Sequence, residues 1–110
     1  PLAPDTKNFL NEKRISLLPP NPVVINTARG PVIDDEALIA ALKSGRVAAA
    51  GLDVFDGEPK LNPGYLDCKN AFLLPHLGSA TIETRNAMGF TALDNLDAVF
   101  AGKEPPNKLV

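Results

Sequence analysis

Three short apolar runs along the chain each end in small or polar residues. They cover residues 23–26, 47–55 and 71–74. A run that ends abruptly in this way, with β-branched residues as in the first one, is typical of a strand buried on both faces of a parallel sheet. We therefore predict three strands, and we expect residues 23–26 to be covered on both sides.

Apolar residues at helical spacing lie between and after these runs. Residues 35–44 carry apolar side chains on one face, Asp34 is a suitable N-cap, and Gly45 follows the last turn. A shorter charged helix over residues 11–18 precedes the first strand, and a long helix over residues 81–101 follows the third. Because strand, helix and strand succeed one another, the fold class is α/β, with a parallel sheet and a right-handed crossover.

Residues with chemically useful side chains follow each predicted strand. Arg29 comes after the first strand, Asp53 and Glu58 lie at the end of the second, and His76 comes after the third. Ligands of open parallel sheets bind just beyond the carboxyl ends of the strands, so we expect these side chains to meet at one edge. Gly30, beside the arginine, is expected to supply an unusual backbone conformation.

The chemistry of this set is proton transfer beside a bound anion. A guanidinium can hold a carboxylate with two hydrogen bonds, an imidazole can give or take a proton near neutral pH, and a carboxylate can orient the imidazole. Each residue alone has an ordinary alternative: Arg29 as a surface arginine, His76 as a structural residue, and Glu58 as part of a solvated loop. Together they indicate a site for an anionic carbonyl compound or hydroxy acid.

Composition narrows the class of protein. The chain has 110 residues, a formal net charge of −2 and no basic stripe, so nucleic acid and anionic membranes are poor partners. No apolar run reaches the length of a membrane span, and we expect a cytoplasmic location. The single cysteine, Cys68, excludes an internal disulfide and a multi-cysteine metal site, and no metal is expected. The chain starts at Pro1 without a methionine, and we interpret it as a fragment.

Three sequence motifs resemble a known family. They are NTARG at residues 26–30, GLDVF at 51–55 followed by Glu58 and Pro59, and LPHLGSAT at 74–81. The motifs and their spacing resemble the carboxyl-terminal half of the NAD-binding domain of the D-isomer-specific 2-hydroxyacid dehydrogenases. Within that family the sequence is most similar to the glyoxylate and hydroxypyruvate reductases, and the carboxylate at Glu58 argues against the formate dehydrogenase branch.

The resemblance implies roles for three catalytic residues. Arg29 would bind the carboxylate of a small 2-keto acid, such as glyoxylate or hydroxypyruvate, and polarise its carbonyl. His76 would protonate the carbonyl oxygen as hydride arrives from NADH or NADPH, which gives the D-2-hydroxy acid. Glu58 would hold His76 in the productive tautomer and favour its protonated form.

The resemblance also implies a nicotinamide site at the same edge. Asp53 would hold the carboxamide of NAD or NADP, and Arg29 and His76 would lie against the cofactor as well. The remaining predicted cofactor contacts are small residues: Pro1, Thr27, Ala28 and Gly78.

The implied fold is the second half of a Rossmann-type doubly wound parallel sheet with a long C-terminal helix. Residues 1–110 would form a single partial NAD(P)-binding domain, because no glycine precedes Gly30 and the phosphate-binding motif Gly-x-Gly-x-x-Gly is therefore absent, as is a substrate domain. The parent enzyme is expected to be a homodimer, and the fragment alone is not expected to turn over substrate. Two alternatives remain: a non-catalytic, nucleotide-sensing corepressor of the same fold, and an inert fragment.

Overall fold

A three-stranded parallel sheet lies in the first of two units of the chain. The computed structural model describes residues 2–109, and the first unit ends at Gly78. The strands are β1 (Val23–Asn26), β2 (Ala49–Leu52) and β3 (Ala71–Leu73), in the order β1-β2-β3, and both pairs are parallel. The predicted α/β class with a parallel sheet is confirmed.

Helices precede, connect and follow the strands. α1 (Glu12–Ser16) lies before β1, α2 (Asp35–Ser44) connects β1 to β2, and α3 (Ile82–Phe100) forms most of the second unit. Two short 3-10 turns, Gly30–Val32 and Pro63–Asp67, follow β1 and precede β3. α2 has the predicted bounds, whereas α1 and α3 are each slightly shorter than predicted.

The bounds of α2 follow from its capping residues. Asp34 Oδ1 accepts the Ala37 N–H at 3.1 Å, which satisfies one of the free donors at the start of the helix. Gly45 ends the helix with a φ of 77°, in the left-handed region that glycine adopts without steric cost. Leu38 and Leu42 are buried in the core, so α2 packs its predicted apolar face against the sheet.

Within residues 2–109, β1 is covered on one face, so the prediction that it is buried on both is not met in this part of the chain. Val24 is 7% exposed, whereas Val23 and Ile25 are 62% and 72% exposed. Val24 belongs to the core cluster, which also contains Ile15 of α1, Leu38 of α2 and Tyr65. A run of apolar residues reports that both faces are hydrophobic, but it cannot tell whether a layer packs on each.

The second predicted strand, residues 47–55, is shorter in the structure. β2 ends at Leu52, although the Asp53 N–H still donates to the Asn26 carbonyl at 3.0 Å. Beyond this bond the chain turns away from the sheet, and Val54 is buried while Phe55 lies at the start of the turn that carries Glu58. The apolar side chains of Val54 and Phe55 therefore pack outside the strand.

The second unit consists of α3 and the tail that follows it. Thr81 caps α3, since its Oγ1 accepts the Thr84 N–H at 3.1 Å. Asn95 and Asn107 form two reciprocal hydrogen bonds, of 2.9 and 3.0 Å, which fix the tail to the helix.

The described residues form no metal centre and no membrane span. In residues 2–109, no group of three His, Cys, Asp or Glu side chains is placed to hold a metal ion. No helix in this range combines the length and the apolar character needed to cross a bilayer. Cys68 is buried, and its thiol donates to the Gly64 carbonyl at 3.4 Å.

Candidate active site at the carboxyl edge of the sheet

Arg29 lies in a turn that follows β1 and is held by Asn26. The buried Asn26 side chain accepts the Ala28 N–H through Oδ1 and donates to the Arg29 carbonyl through Nδ2, both at 3.0 Å. The turn is therefore fixed to the last residue of the strand. The exposed Arg29 guanidinium donates once, to the Ala28 carbonyl at 2.6 Å, and its other N–H groups have no partner within residues 2–109.

Gly30 brings this turn against the turn that follows β2. A Cβ atom at position 30 would lie 1.9 Å from the Phe55 carbonyl carbon and 2.2 Å from the Asp56 nitrogen. The φ of Gly30 is not in the left-handed region, so the expectation of an unusual backbone conformation is wrong. Glycine is needed here because the two main chains are too close for any side chain.

Glu58 and His76 are in direct contact. Nδ1 of the His76 ring lies 2.7 Å from Glu58 Oε2, and the Phe55 N–H donates to Glu58 Oε1 at 2.9 Å. Since an ionised carboxylate can only accept, Nδ1 carries the hydrogen of its bond to Glu58. Two partners therefore hold the two oxygens of Glu58, and this fixes the carboxylate against the imidazole.

The surroundings of Glu58 favour its ionised form. The hydrogen bond from His76 has the largest effect in lowering the pKa of Glu58, followed by the hydrogen bond from the Phe55 N–H, and the positive charge of Arg29 acts in the same direction. Within residues 2–109, Glu58 forms an ion pair with His76 and none with Arg29. The three residues thus lie at one edge, with Glu58 and His76 in contact and Arg29 acting through its charge.

The second ring nitrogen of His76, Nε2, has no hydrogen-bond partner among the described residues. The His76 side chain is 47% exposed and lines a cavity of about 400 Å³. The cavity has apolar walls beside the polar pair, and its lining consists of Phe55, Glu58, Pro59, Leu61, Pro75 and His76. A small polar molecule therefore has access to the imidazole.

Asp53 contacts the main chain that follows His76. Asp53 is 6% exposed, its Oδ1 accepts the Leu77 N–H at 2.6 Å, and its Oδ2 accepts the Gly78 N–H at 2.7 Å. A carboxylate oxygen can accept more than one hydrogen bond, so a contact with the nicotinamide carboxamide stays a prediction. Thr27 and Ala28 are exposed in the turn after β1.

The segment that follows Glu58 is anchored to the start of α2. The Tyr65 side chain is buried, and its hydroxyl donates to Asp35 Oδ1 at 2.7 Å. Asn62 Nδ2 donates to Glu36 Oε1, also at 2.7 Å. Burial raises the pKa of Asp35, and burial together with the hydrogen bond to Asp35 raises the pKa of Tyr65.

Comparison with known proteins identifies the family. A family model described as "D-isomer specific 2-hydroxyacid dehydrogenase, NAD binding domain" matches residues 1–78. The chain belongs to this family. The chain is 48% identical over 104 residues to a glycerate dehydrogenase from Hyphomicrobium methylovorum, an alignment that covers 94% of the chain and 32% of that protein.

Two further relatives agree with this membership. A glyoxylate reductase from Thermococcus litoralis is 48% identical over 107 residues, which is 97% of the chain and 32% of the relative. The solved NADPH-dependent glyoxylate/hydroxypyruvate reductase from Sinorhizobium meliloti, in complex with NADP and malonate, superimposes with a TM-score of 0.87 at 44% identity, over 91% of the chain and 31% of that structure. The chain thus spans about a third of the length of the 2-hydroxyacid dehydrogenases it matches.

The described residues suit the nicotinamide end of a dinucleotide better than its pyrophosphate. The exposed turn at Thr27 and Ala28 and the acceptor Asp53 lie after neighbouring strands, beside the open imidazole of His76. No glycine precedes Gly30, so this part of the 2-hydroxyacid dehydrogenase fold has no glycine-rich phosphate loop. Pro1, which is also a predicted cofactor contact, lies outside the described residues.

Sequence reasoning missed two residues that hold the site together. Asn26 is the last residue of a strand and precedes a turn, a position from which an Asn side chain often bonds the main chain two residues on, so this signal was available. Tyr65 gave no signal, because its partner Asp35 lies 30 residues earlier in the chain. Only the fold brings that pair together.

Proposed function

We propose that the chain is the carboxyl-terminal half of the NAD-binding domain of a longer oxidoreductase, which reduces a small 2-keto acid to the D-2-hydroxy acid. Glyoxylate and hydroxypyruvate are the proposed substrates, because relatives of the chain are named for them. The observation that carries the proposal is the contact between Glu58 and His76, which leaves Nε2 of the imidazole without a partner in residues 2–109. A histidine held in this way is typical of a general acid or base.

Arg29 is proposed to bind the carboxylate of the substrate. A guanidinium presents paired N–H donors that match the two oxygens of a carboxylate, and most donors of Arg29 have no partner within the described part of the chain. The turn that carries Arg29 is held by Asn26 and packs against the main chain of Phe55. Arg29 would therefore fix the substrate so that its carbonyl lies within reach of the site.

His76 is proposed to donate the proton in reduction. In the protonated ring, Nδ1 keeps its bond to Glu58 while Nε2 gives its hydrogen to the carbonyl oxygen of the keto acid. In the reverse reaction the neutral Nε2 accepts the hydroxyl proton of the hydroxy acid. Bound NADH or NADPH supplies the hydride. Glu58 contributes by stabilising the charged ring before the transfer and by holding its orientation.

The remaining features of the proposal rest on the resemblance to the family. Asp53 is proposed to hold the nicotinamide carboxamide, with Pro1, Thr27, Ala28 and Gly78 as further contacts with NAD or NADP. We also propose that residues 1–110 form one partial domain, that the parent enzyme is a cytoplasmic homodimer, and that it does not bind nucleic acid.

The experiment is a turnover assay of the intact protein that contains this chain. We expect oxidation of NADH or NADPH, followed by absorbance, with glyoxylate or hydroxypyruvate as substrate. His76→Gln should reduce kcat about 10²- to 10⁴-fold, because a general acid contributes an effect of this size. Asp56→Asn, which removes an exposed carboxylate near Glu58, is the matched control and should retain activity. Failure of the wild-type protein to reduce any small 2-keto acid, or a His76→Gln variant with nearly full activity, would contradict the proposal.

A further inference from the structure

Asp53 holds the main chain of the segment that carries His76. The Asp53 N–H donates to the Asn26 carbonyl at 3.0 Å, so the main chain of Asp53 is fixed beside β1. Its carboxylate accepts the N–H groups of Leu77 and Gly78 at 2.6 and 2.7 Å. The two residues that directly follow His76 are therefore both bonded to one buried side chain at the end of β2.

His76 needs such a restraint because of its backbone conformation. Its φ is 56°, in the left-handed region that residues with a Cβ atom rarely occupy. A segment with this conformation persists only when the surrounding structure holds it there. Left unrestrained, the main chain at His76 would relax toward a negative φ and carry the imidazole away from Glu58.

Gly78 shows how closely the segment approaches Asp53. A Cβ atom at position 78 would lie 2.9 Å from Asp53 Oδ2, which is too close for an undisturbed contact. The φ of Gly78 does not lie in the left-handed region, so the glycine is needed for the close approach and not for an unusual conformation. The absence of a side chain at position 78 thus permits the hydrogen bond from its N–H to Asp53.

We infer that Asp53 is a positioning residue for His76: by holding the N–H groups of Leu77 and Gly78, it fixes the imidazole against Glu58. This inference rests on the proposed function for its catalytic meaning, since His76 is the proposed proton donor. It is distinct from the cofactor contact predicted for Asp53, because it acts through the main-chain N–H groups of Leu77 and Gly78.

The test uses the pKa of the Glu58 carboxyl in the intact protein that contains this chain, measured by carbon NMR as the pH is varied, with the Glu58 signal assigned by its loss in Glu58→Gln. This pKa is low chiefly because His76 donates a hydrogen bond to Glu58, so it reports whether the ring is in place. Turnover plays no part in the measurement, so failure of this inference can be told apart from failure of the proposed function.

The first variant is Asp53→Asn. Leu77 and Gly78 donate to different oxygens of Asp53, so an Asn side chain in the same orientation replaces one of these acceptors with an NH₂ group and places a donor against an N–H. We expect the Glu58 pKa to rise toward its ordinary value of 4.5. Loss of a negative charge would by itself favour an ionised Glu58 and lower the pKa, so the sign of the shift separates the two effects. The matched control, Asp56→Asn, should leave the Glu58 pKa low.

The second variant, Gly78→Ala, tests the same contact if Asp53→Asn does not fold. It keeps the charge of Asp53 but forces Asp53 Oδ2 and residue 78 apart. We expect the Glu58 pKa to rise in this variant, as in Asp53→Asn. The inference would be overturned if the Glu58 pKa were unchanged or lowered in folded Asp53→Asn. If Asp53→Asn does not fold, the same result in folded Gly78→Ala would overturn it. Asp53 would then be left with the cofactor contact alone.

Discussion

Replacement of Gly30 by alanine tests whether the close approach of two turns builds the site. The new methyl carbon would start 1.9 Å from the Phe55 carbonyl carbon, whereas an ordinary contact needs at least 3.4 Å. The obstacle is main chain and not the end of a flexible side chain, so the Arg29 turn and the Phe55 turn must separate by about 1.5 Å. Overpacking typically costs about 1 to 3 kcal/mol, and we expect a loss near the upper end of that range.

The measurement is the free energy of unfolding of the chain, from urea titration followed by circular dichroism. Gly51→Ala is the matched control, because a Cβ atom there would meet only Ile25 Cγ1 at 3.9 Å, an ordinary contact. Glycine in a strand is less favourable than alanine by roughly 0.5 to 1 kcal/mol, so Gly51→Ala should be neutral or slightly stabilising. If Gly30→Ala unfolded with the same free energy as Gly51→Ala, the close approach of the two turns would not be required.

Three further outcomes follow from the site. In the intact enzyme, Arg29→Lys keeps the charge but loses the paired donors. The transition state of glyoxylate reduction should lose about 2 to 4 kcal/mol of stabilisation, which is measured as a fall in kcat/KM. An unchanged kcat/KM would refute the carboxylate contact. Tyr65→Phe removes the hydroxyl bonded to Asp35 and should lower the free energy of unfolding by about 1 to 3 kcal/mol, an effect that urea titration would detect or exclude. The contacts of Glu58 lower its pKa, so the stability that its carboxylate contributes should be present above pH 4.5 and be lost as the pH falls through the lowered pKa. In urea titrations at several pH values, Glu58→Gln should lack this loss. A wild type without the loss would contradict the contact between Glu58 and His76.

Much of the fold was predictable because local signals agreed with the final structure. β1 and α2 have their predicted bounds, since Asp34 and Gly45 cap the helix through contacts within one turn. The end of β2 was harder to predict, because Val54 is apolar but is buried outside the sheet. Its placement depends on the turn that follows, which hydrophobicity does not encode.

The side chains proposed to carry the chemistry of the candidate site could be predicted from the sequence, but the contacts that hold them in place could not. Arg29, Glu58 and His76 follow three adjacent parallel strands, so their convergence at one edge required only the topology. The contacts of Asp53 with the two residues after His76 join positions 24 and 25 residues apart, and the role of Gly30 depends on the main chain of a distant turn. Such contacts become visible only when the packing of the turns is known.

The proposed mechanism depends above all on Glu58 holding His76 in place as the proton donor in 2-keto acid reduction. The measurement is kcat/KM for glyoxylate reduction by the intact enzyme, for the wild type, for Glu58→Gln and for the control Asp56→Asn. Glu58 Oε2 lies 2.7 Å from His76 Nδ1, and a hydrogen bond to a charged group is worth about 1.5 to 3 kcal/mol, so Glu58→Gln should lower kcat/KM by about tenfold or more while Asp56→Asn retains it. A Glu58→Gln enzyme with the kcat/KM of the wild type would contradict the mechanism.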